Sequence, residues 1–310
     1  MLTGCARIGV KLRFALESTI KIIAFDQPRM IASLEQKPHS PATGPAREKE
    51  QKLRDLMRNT RRVLVAYSGG VDSTYLAFIA NQELGSNAVC VLGISPSVSQ
   101  NQQDDAATIA AQYGFNFRTE ATYELDDLNY RANLQNRCYF CKTELYATLR
   151  TLAKALAIAA IVDGTNFDDT FDHRPGRMAA SEKDVASPLA DVGMTKREIR
   201  ELSRDLGLSG WDKPSSPCLS SRIAYGVPVT IERLSKVESA EAVLRKLGIR
   251  EFRVRVHDDL VRLEIAPNEM KSILDKEIFD GIVKELKKLG FRYVTLDMEG
   301  FRSGSMNNKV

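Results

Sequence analysis

No run in this sequence approaches the roughly 18 uninterrupted apolar residues that a membrane-spanning helix needs, so no helical membrane segment is expected. No block of consecutive Lys or Arg forms a nucleic-acid-binding arm, and the net charge of +4 is spread along the chain. That mild basicity suits an anionic small molecule such as a nucleotide and argues against a nucleic-acid partner. The five cysteines are an odd number in a long chain without a clean secretory leader. They argue against a disulfide framework and leave the cytoplasm as the default location. There is no Walker A lysine after a second glycine, and no G-x-G-x-x-G fingerprint.

What is present fits an ordinary globular protein: 310 residues, 43% hydrophobic and 27% charged, enough for one large core and a smaller one. The first 47 residues read differently. Leu12 to Phe25 is partly apolar but broken by Arg13, Glu17 and Lys21, and Lys37 to Pro45 is a turn-rich linker expected to be disordered. Either a genuine extension or a translation start set too early, with Met30 close by, accounts for them. The expected division is an extension (1–47), an α/β domain (48–229) and a smaller α/β domain (230–310).

Arg62 to Tyr67 is a β-branched run of the kind buried in a parallel sheet. It leads into Ser68-Gly69-Gly70-Val71-Asp72-Ser73 and then a helical segment from Thr74. Strand, glycine turn and helix N-terminus together make an anion site, since the first N–H groups of the helix point at the ligand. Ala88–Ile94, Phe115–Glu120 and Ala160–Asn166 read as further strands, alternating with helices over Asn101–Tyr113 and Thr143–Ala157. This is the pattern of a doubly wound parallel sheet with its ligand at the carboxyl ends of the strands. Gly164-Thr165-Asn166-Phe167-Asp168-Asp169 falls at that same edge, closely followed by Asp172 and Arg174. Turn duty is the bland reading of such residues, but the clustering of three Asp with an Arg favours a site.

The cysteines divide by context. Cys90 lies in an apolar run and reads as a buried structural thiol. Cys138 and Cys141 form a C-x-x-C pair, and Cys218 lies in a loop rich in Pro and Ser, near Lys213 and Arg222. Positive charge there would favour its thiolate. Towards the C-terminus, Phe252–His257 and Leu260–Ile265 read as a hairpin, followed by a helix over Asp280–Leu289 and a strand at Tyr293–Leu296. Arg253 and Arg255, two apart on a strand, share a face suited to phosphate.

The SGGVDS loop matches the signature of the PP-loop ATP pyrophosphatases. With GTNFDD, DHRPG, KPSSPCLSSRIAYG, RVRVH and FRSG, the chain from about Glu48 onward resembles the LarE family of ATP-dependent sulfur transferases. Members of that family make pyridinium-3,5-bisthiocarboxylic acid mononucleotide for the nickel-pincer cofactor. The resemblance implies that Ser68 to Ser73, with Gly164, Thr165 and Asn166, bind ATP and its pyrophosphate, and that Asp72 holds Mg²⁺. It implies a nucleotide-like substrate bound by Asp168, Asp169, Asp172, Arg174, Arg222, Arg253, Arg255 and Arg302. It also implies a homo-oligomer and handover of product to a nickel-inserting protein. In the family, sulfur comes from a sacrificed loop cysteine, here Cys218, or through a [4Fe–4S] cluster on three cysteines, here Cys138, Cys141 and Cys218. The C-x-x-C pair favours the cluster, and persulfide relay is a further route. Two rivals are a PP-loop transfer-RNA thiolase, which would want a basic surface, and an amide-forming synthetase of the NAD or GMP type, which needs no cysteine. A non-catalytic nucleotide sensor is a third.

Overall fold

In the computed structural model the described residues are 42, 44–171, 175–214 and 216–302. The expected N-terminal extension up to residue 41, Asp172, Arg174 and the Ser303-Gly304 end of the late motif lie outside them. Helix α1 (Gly44–Thr60) begins inside the stretch read as a linker. Pro45 is tolerated there because the first turn of a helix has no partner for its missing N–H, and Ala46, Leu53 and Met57 anchor the helix to the core.

Five strands then form one parallel sheet: β1 (Val63–Ala66), β2 (Ala88–Ile94), β3 (Asn116–Ala121), β4 (Ala160–Asp163) and β5 (Val185–Ala186), in the order β3-β2-β1-β4-β5. Between them run α2 (Val71–Leu84), α3 (Gln100–Gln112), α4 (Leu128–Arg131), α5 (Arg137–Ala155) and α6 (Pro175–Glu182). Two further helices follow β5, α7 (Pro188–Asp191) and α8 (Lys196–Asp205). Side chains alternate across a strand, so Val63 and Val65 pack into a core with α1, α2, α3 and α8, whereas Leu64 joins a second core with α5 and α6. Because both faces are covered, β1 and β2 read as continuous apolar runs. The chain moves outward through β2 and β3 and returns to the other side of β1 with β4. Strand order therefore reverses at β1, and in open α/β sheets the ligand crevice lies at such a point, beyond the carboxyl ends.

After α9 (Ile231–Lys246) comes a second, three-stranded sheet. β6 (Phe252–His257) and β7 (Leu260–Ile265) form an antiparallel hairpin, α10 (Lys276–Lys288) follows, and β8 (Tyr293–Leu296) pairs in parallel with β7. α9, α10 and the strands share a core of Leu234, Val237, Val254, Val261 and Leu286. The described residues all belong to one compact unit. Among them no helix is long and apolar enough to cross a membrane.

Candidate active site

β1 ends at the glycine loop. Gly69 takes φ +71°, and a Cβ there would come within 2.8 Å of Ala106 Cβ on α3, so both the turn and the contact require glycine. Gly70 is the N-cap of α2 and places no side chain over the first turn. Ser68 and Ser73 close the loop from within: their hydroxyls lie 3.0 Å apart, and Ser73 Oγ donates to the Gly70 carbonyl at 3.0 Å. The loop from β4 is pressed against the same helix end, since a Cβ on Gly164 would meet Ser73 N at 2.8 Å. The arrangement presents backbone N–H groups, a positive helix end and no obstructing side chain, which is what a pyrophosphate requires.

Asp72 lies in the first turn of α2. Its Oδ2 accepts from Lys196 Nζ at 2.5 Å, while its Oδ1 is buried without a hydrogen bond. Burial pushes its carboxyl above the usual range, Lys196 opposes that, and Asp169 adds repulsion. A buried, unpartnered carboxylate oxygen beside an anion loop fits a hard cation, so the donor chemistry here suits Mg²⁺. Asn166 and Asp169 exchange backbone-to-side-chain bonds at 3.1 and 3.3 Å, and Asp168 Oδ2 accepts Lys196 N at 2.8 Å. Thr165 donates to Asp163, which also accepts from Tyr146 at 2.6 Å and Ser187 at 2.9 Å. Thus Asp163 and Lys196, which sequence reasoning missed, hold together the loops that it did identify.

Cys138 is exposed on the first turn of α5, while Cys141 and Cys218 are half-buried. Burial raises the Cys141 thiol, and the nearby Cys218, Glu124 and Cys138 add to that while Lys142 opposes it. Among the described residues no three His, Cys, Asp or Glu side chains are grouped to hold a metal ion. A cubane binds each thiolate at a separate iron, and in residue type alone the trio matches that donor set. Of the two cations expected near Cys218, Arg222 is there, donating to its carbonyl, whereas Lys213 pairs with Asp105. A further cation joins it: the charge of buried Arg137 is supported, against burial, by Cys218 and Cys138. The signal was adjacent to the motif: Arg137 immediately precedes Cys138. Cys90 is buried in the core as expected, its thiol pushed up to about 12.

The Cys218 loop is docked on the nucleotide rim, with Leu219 N donating to the Ser97 carbonyl, just beyond β2, at 2.8 Å. Its other side meets β6, where Ala224 N donates to Val256 O at 2.9 Å and Arg255 Nη1 to Ser221 O at 2.9 Å. Arg222 is buried, paired with Glu241 at 2.8 Å and donating to the Cys218 carbonyl at 3.0 Å. Arg255 pairs with buried Glu264 at 3.0 Å. Arg253 stacks over Phe301 at 4.7 Å, and its pKa is pushed down to about 10 by burial and by Arg222 and Arg255, against Glu241. Three of the expected substrate arginines are therefore brought together, while Arg302 is tied to Glu299 and Asp297 at the edge. Crowded guanidinium groups that depress one another's charge form a place where an anion is stabilised.

Fold and loop together define a PP-loop enzyme that uses ATP, and a family model described as NAD synthase matches residues 47–163. An uncharacterized protein from Synechocystis is 44% identical over 84% of the chain and 97% of its own length. Another, from Methanocaldococcus jannaschii, is 31% identical over 81% of the chain and 94% of its own length. The pyridinium-3,5-bisthiocarboxylic acid mononucleotide synthase of Lactiplantibacillus plantarum is 36% identical over 82% of the chain and 92% of its own length. The chain belongs to this last family, LarE, and is an ATP-using sulfurtransferase.

Proposed function

We propose that the enzyme adenylylates a carboxylate of a pyridinium dicarboxylate mononucleotide, releases pyrophosphate, and converts the activated carboxylate to a thiocarboxylate for the nickel-pincer cofactor. The observation that carries this reading is the shared rim: the loop bearing Cys218 is hydrogen-bonded to the turn after β2, next to the glycine loop after β1. An acyl group activated at the α-phosphate of ATP would form within reach of sulfur.

The backbone of Gly69 to Ser73 receives the departing pyrophosphate, and Gly164, Thr165 and Asn166 wall it from the β4 side. Mg²⁺, when held by Asp72, supplies positive charge across the phosphates. Arg253, with Arg222 and Arg255, draws in the substrate phosphate, and Arg302, Asp168 and Asp169 border the crevice. The carboxylate displaces pyrophosphate from the α-phosphate. Hydrosulfide then displaces AMP, giving a thiocarboxylate and a proton. A [4Fe–4S] cluster on Cys138, Cys141 and Cys218 would leave one iron open to carry that sulfide. The docking of the Cys218 turn on the nucleotide rim also supports a second source, Cys218 itself: its thiolate would displace AMP to form a thioester, and loss of the Cα proton would then break the Cβ–S bond, releasing the thiocarboxylate and leaving dehydroalanine. The family resemblance further supports a cytoplasmic homo-oligomer that passes its product to a nickel-inserting protein, with separate domains at 48–229 and 230–310.

The test is iron and sulfide content with an absorption spectrum, on wild type and Cys218→Ala prepared without oxygen. About four irons per chain, lost in the variant, support the cluster. Iron-free wild type after anaerobic reconstitution rejects it, and loss of mass from Cys218 after turnover then identifies the sacrificial route.

A further inference from the structure

Tyr130, on the short α4, is a fully buried tyrosine whose hydroxyl has two buried partners. Its oxygen lies 2.6 Å from Ser97 Oγ and 2.5 Å from Ser220 Oγ. Ser97 belongs to the turn after β2, and its carbonyl already receives Leu219 N. Ser220 is wholly buried in the turn that begins at Cys218. A single hydroxyl thus bolts the sulfur-bearing turn to the nucleotide rim.

The residues that follow brace the same loop. Asn133, wholly buried at φ 55°, donates through its side-chain amide to the carbonyls of Ile223, Ala224 and Val227 at 3.3, 2.8 and 2.7 Å. Its own carbonyl accepts Gly226 N at 3.1 Å. Arg137 donates to the Ser220 carbonyl at 2.9 Å and to Asn133 Oδ1. Covering the loop needs none of this, since Leu219 and Ile223 already bury their side chains against Tyr130. Apolar packing resists separation but leaves rotation and small slides cheap. A satisfied buried polar network specifies one arrangement.

We propose that Tyr130 is a positioning residue for sulfur delivery: through Ser97 and Ser220 it sets where Cys218 stands relative to the activated carboxylate. This rests on the sulfur-transfer reading above. Adenylylation needs only the glycine loop and the bound substrate, so the two half-reactions should separate when the bolt is removed. A misplacement of about 1 Å can cost on the order of a hundredfold in a reaction between held groups.

The test is Tyr130→Phe in the full-length chain, which keeps the ring and removes both hydrogen bonds. Pyrophosphate release should stay within about twofold of wild type, while thiocarboxylate formation falls about tenfold or more. In protein without ligand, iodoacetamide should label the Cys218 peptide about fivefold faster, with Cys138 labelling unchanged. Ser220→Ala should reproduce both effects, and the double variant should be no worse than either single one, because all act through one oxygen. Ser97→Ala serves as a second probe if Tyr130→Phe fails to fold. Parallel loss of both half-reactions, or unchanged product and labelling, overturns the proposal. If wild type releases no pyrophosphate with the dicarboxylate mononucleotide, the functional reading fails, and the labelling experiment still decides the role of Tyr130.

Discussion

At the carboxyl edge of the five-stranded sheet, negative charge is met by backbone: glycines at Gly69 and Gly70, an uncapped helix end, and a second glycine loop lying on it. Beside the three-stranded sheet the positive charge is on side chains: Arg222 paired with Glu241, Arg255 with Glu264, and Arg253 stacked over Phe301. The first site is rigid because a methyl added at Gly69 or Gly164 collides with its surroundings. The second is poised because its cations are crowded, Arg222 and Arg255 both lowering the pKa of Arg253. Backbone N–H groups are fixed once the fold forms, whereas guanidinium groups need buried carboxylates to hold them upright and so carry a standing electrostatic cost.

The comparison can be broken at four places. Asp72→Asn removes a full negative charge from the backbone site and should cut pyrophosphate release about a hundredfold or more, measured with saturating ATP. Gly164→Ala drives a methyl into Ser73 N and should lower the same rate about a hundredfold, whereas Gly281→Ala on α10, where an added methyl meets nothing within 4 Å, should leave it near wild type. Glu264→Ala strands Arg255 in the interior and should cost about 3–5 kcal/mol of stability in denaturant unfolding. Arg253→Gln should have the smallest effect on stability, within about 1 kcal/mol, and remove most of the rise in Tm that added phosphate gives wild type. The sign follows from its pKa. A base whose pKa falls to about 10 on folding is charged at a cost, present at neutral pH and relieved only as pH rises through that value. A large loss of stability in Arg253→Gln would show that the cluster is not crowded.

The two regions also differed in how far the sequence revealed them. The bounds of β2, β6, β7 and β8 coincide with the runs read from residue type and alternation, and the glycine loop sits between strand and helix as its motif requires. α5 starts at Arg137, ahead of the expected Thr143, because Cys-Tyr-Phe-Cys carries no helical period. What could not be read was pairing across distance. Nothing near Lys196 signals Asp72, and nothing near Tyr130 signals Ser97 or Ser220. Nothing in the sequence around Glu241 and Glu264 signals that the fold buries both carboxylates against arginines. A local motif carries its geometry with it, whereas a long-range hydrogen bond leaves no trace in either of its neighbourhoods.

The strand order β3-β2-β1-β4-β5 has a consequence for synthesis on the ribosome. The first strand to emerge becomes the central one, and each later strand pairs with one already made: β2 with β1, β3 with β2, β4 with β1, β5 with β4. No strand must wait exposed for a partner still untranslated, which suits the N-to-C order in which domains fold. The Cys218 loop and the hairpin that backs it arrive only after this sheet can be complete. The growing chain would thus complete the sheet that carries the glycine loop before Cys218 joins Cys138 and Cys141.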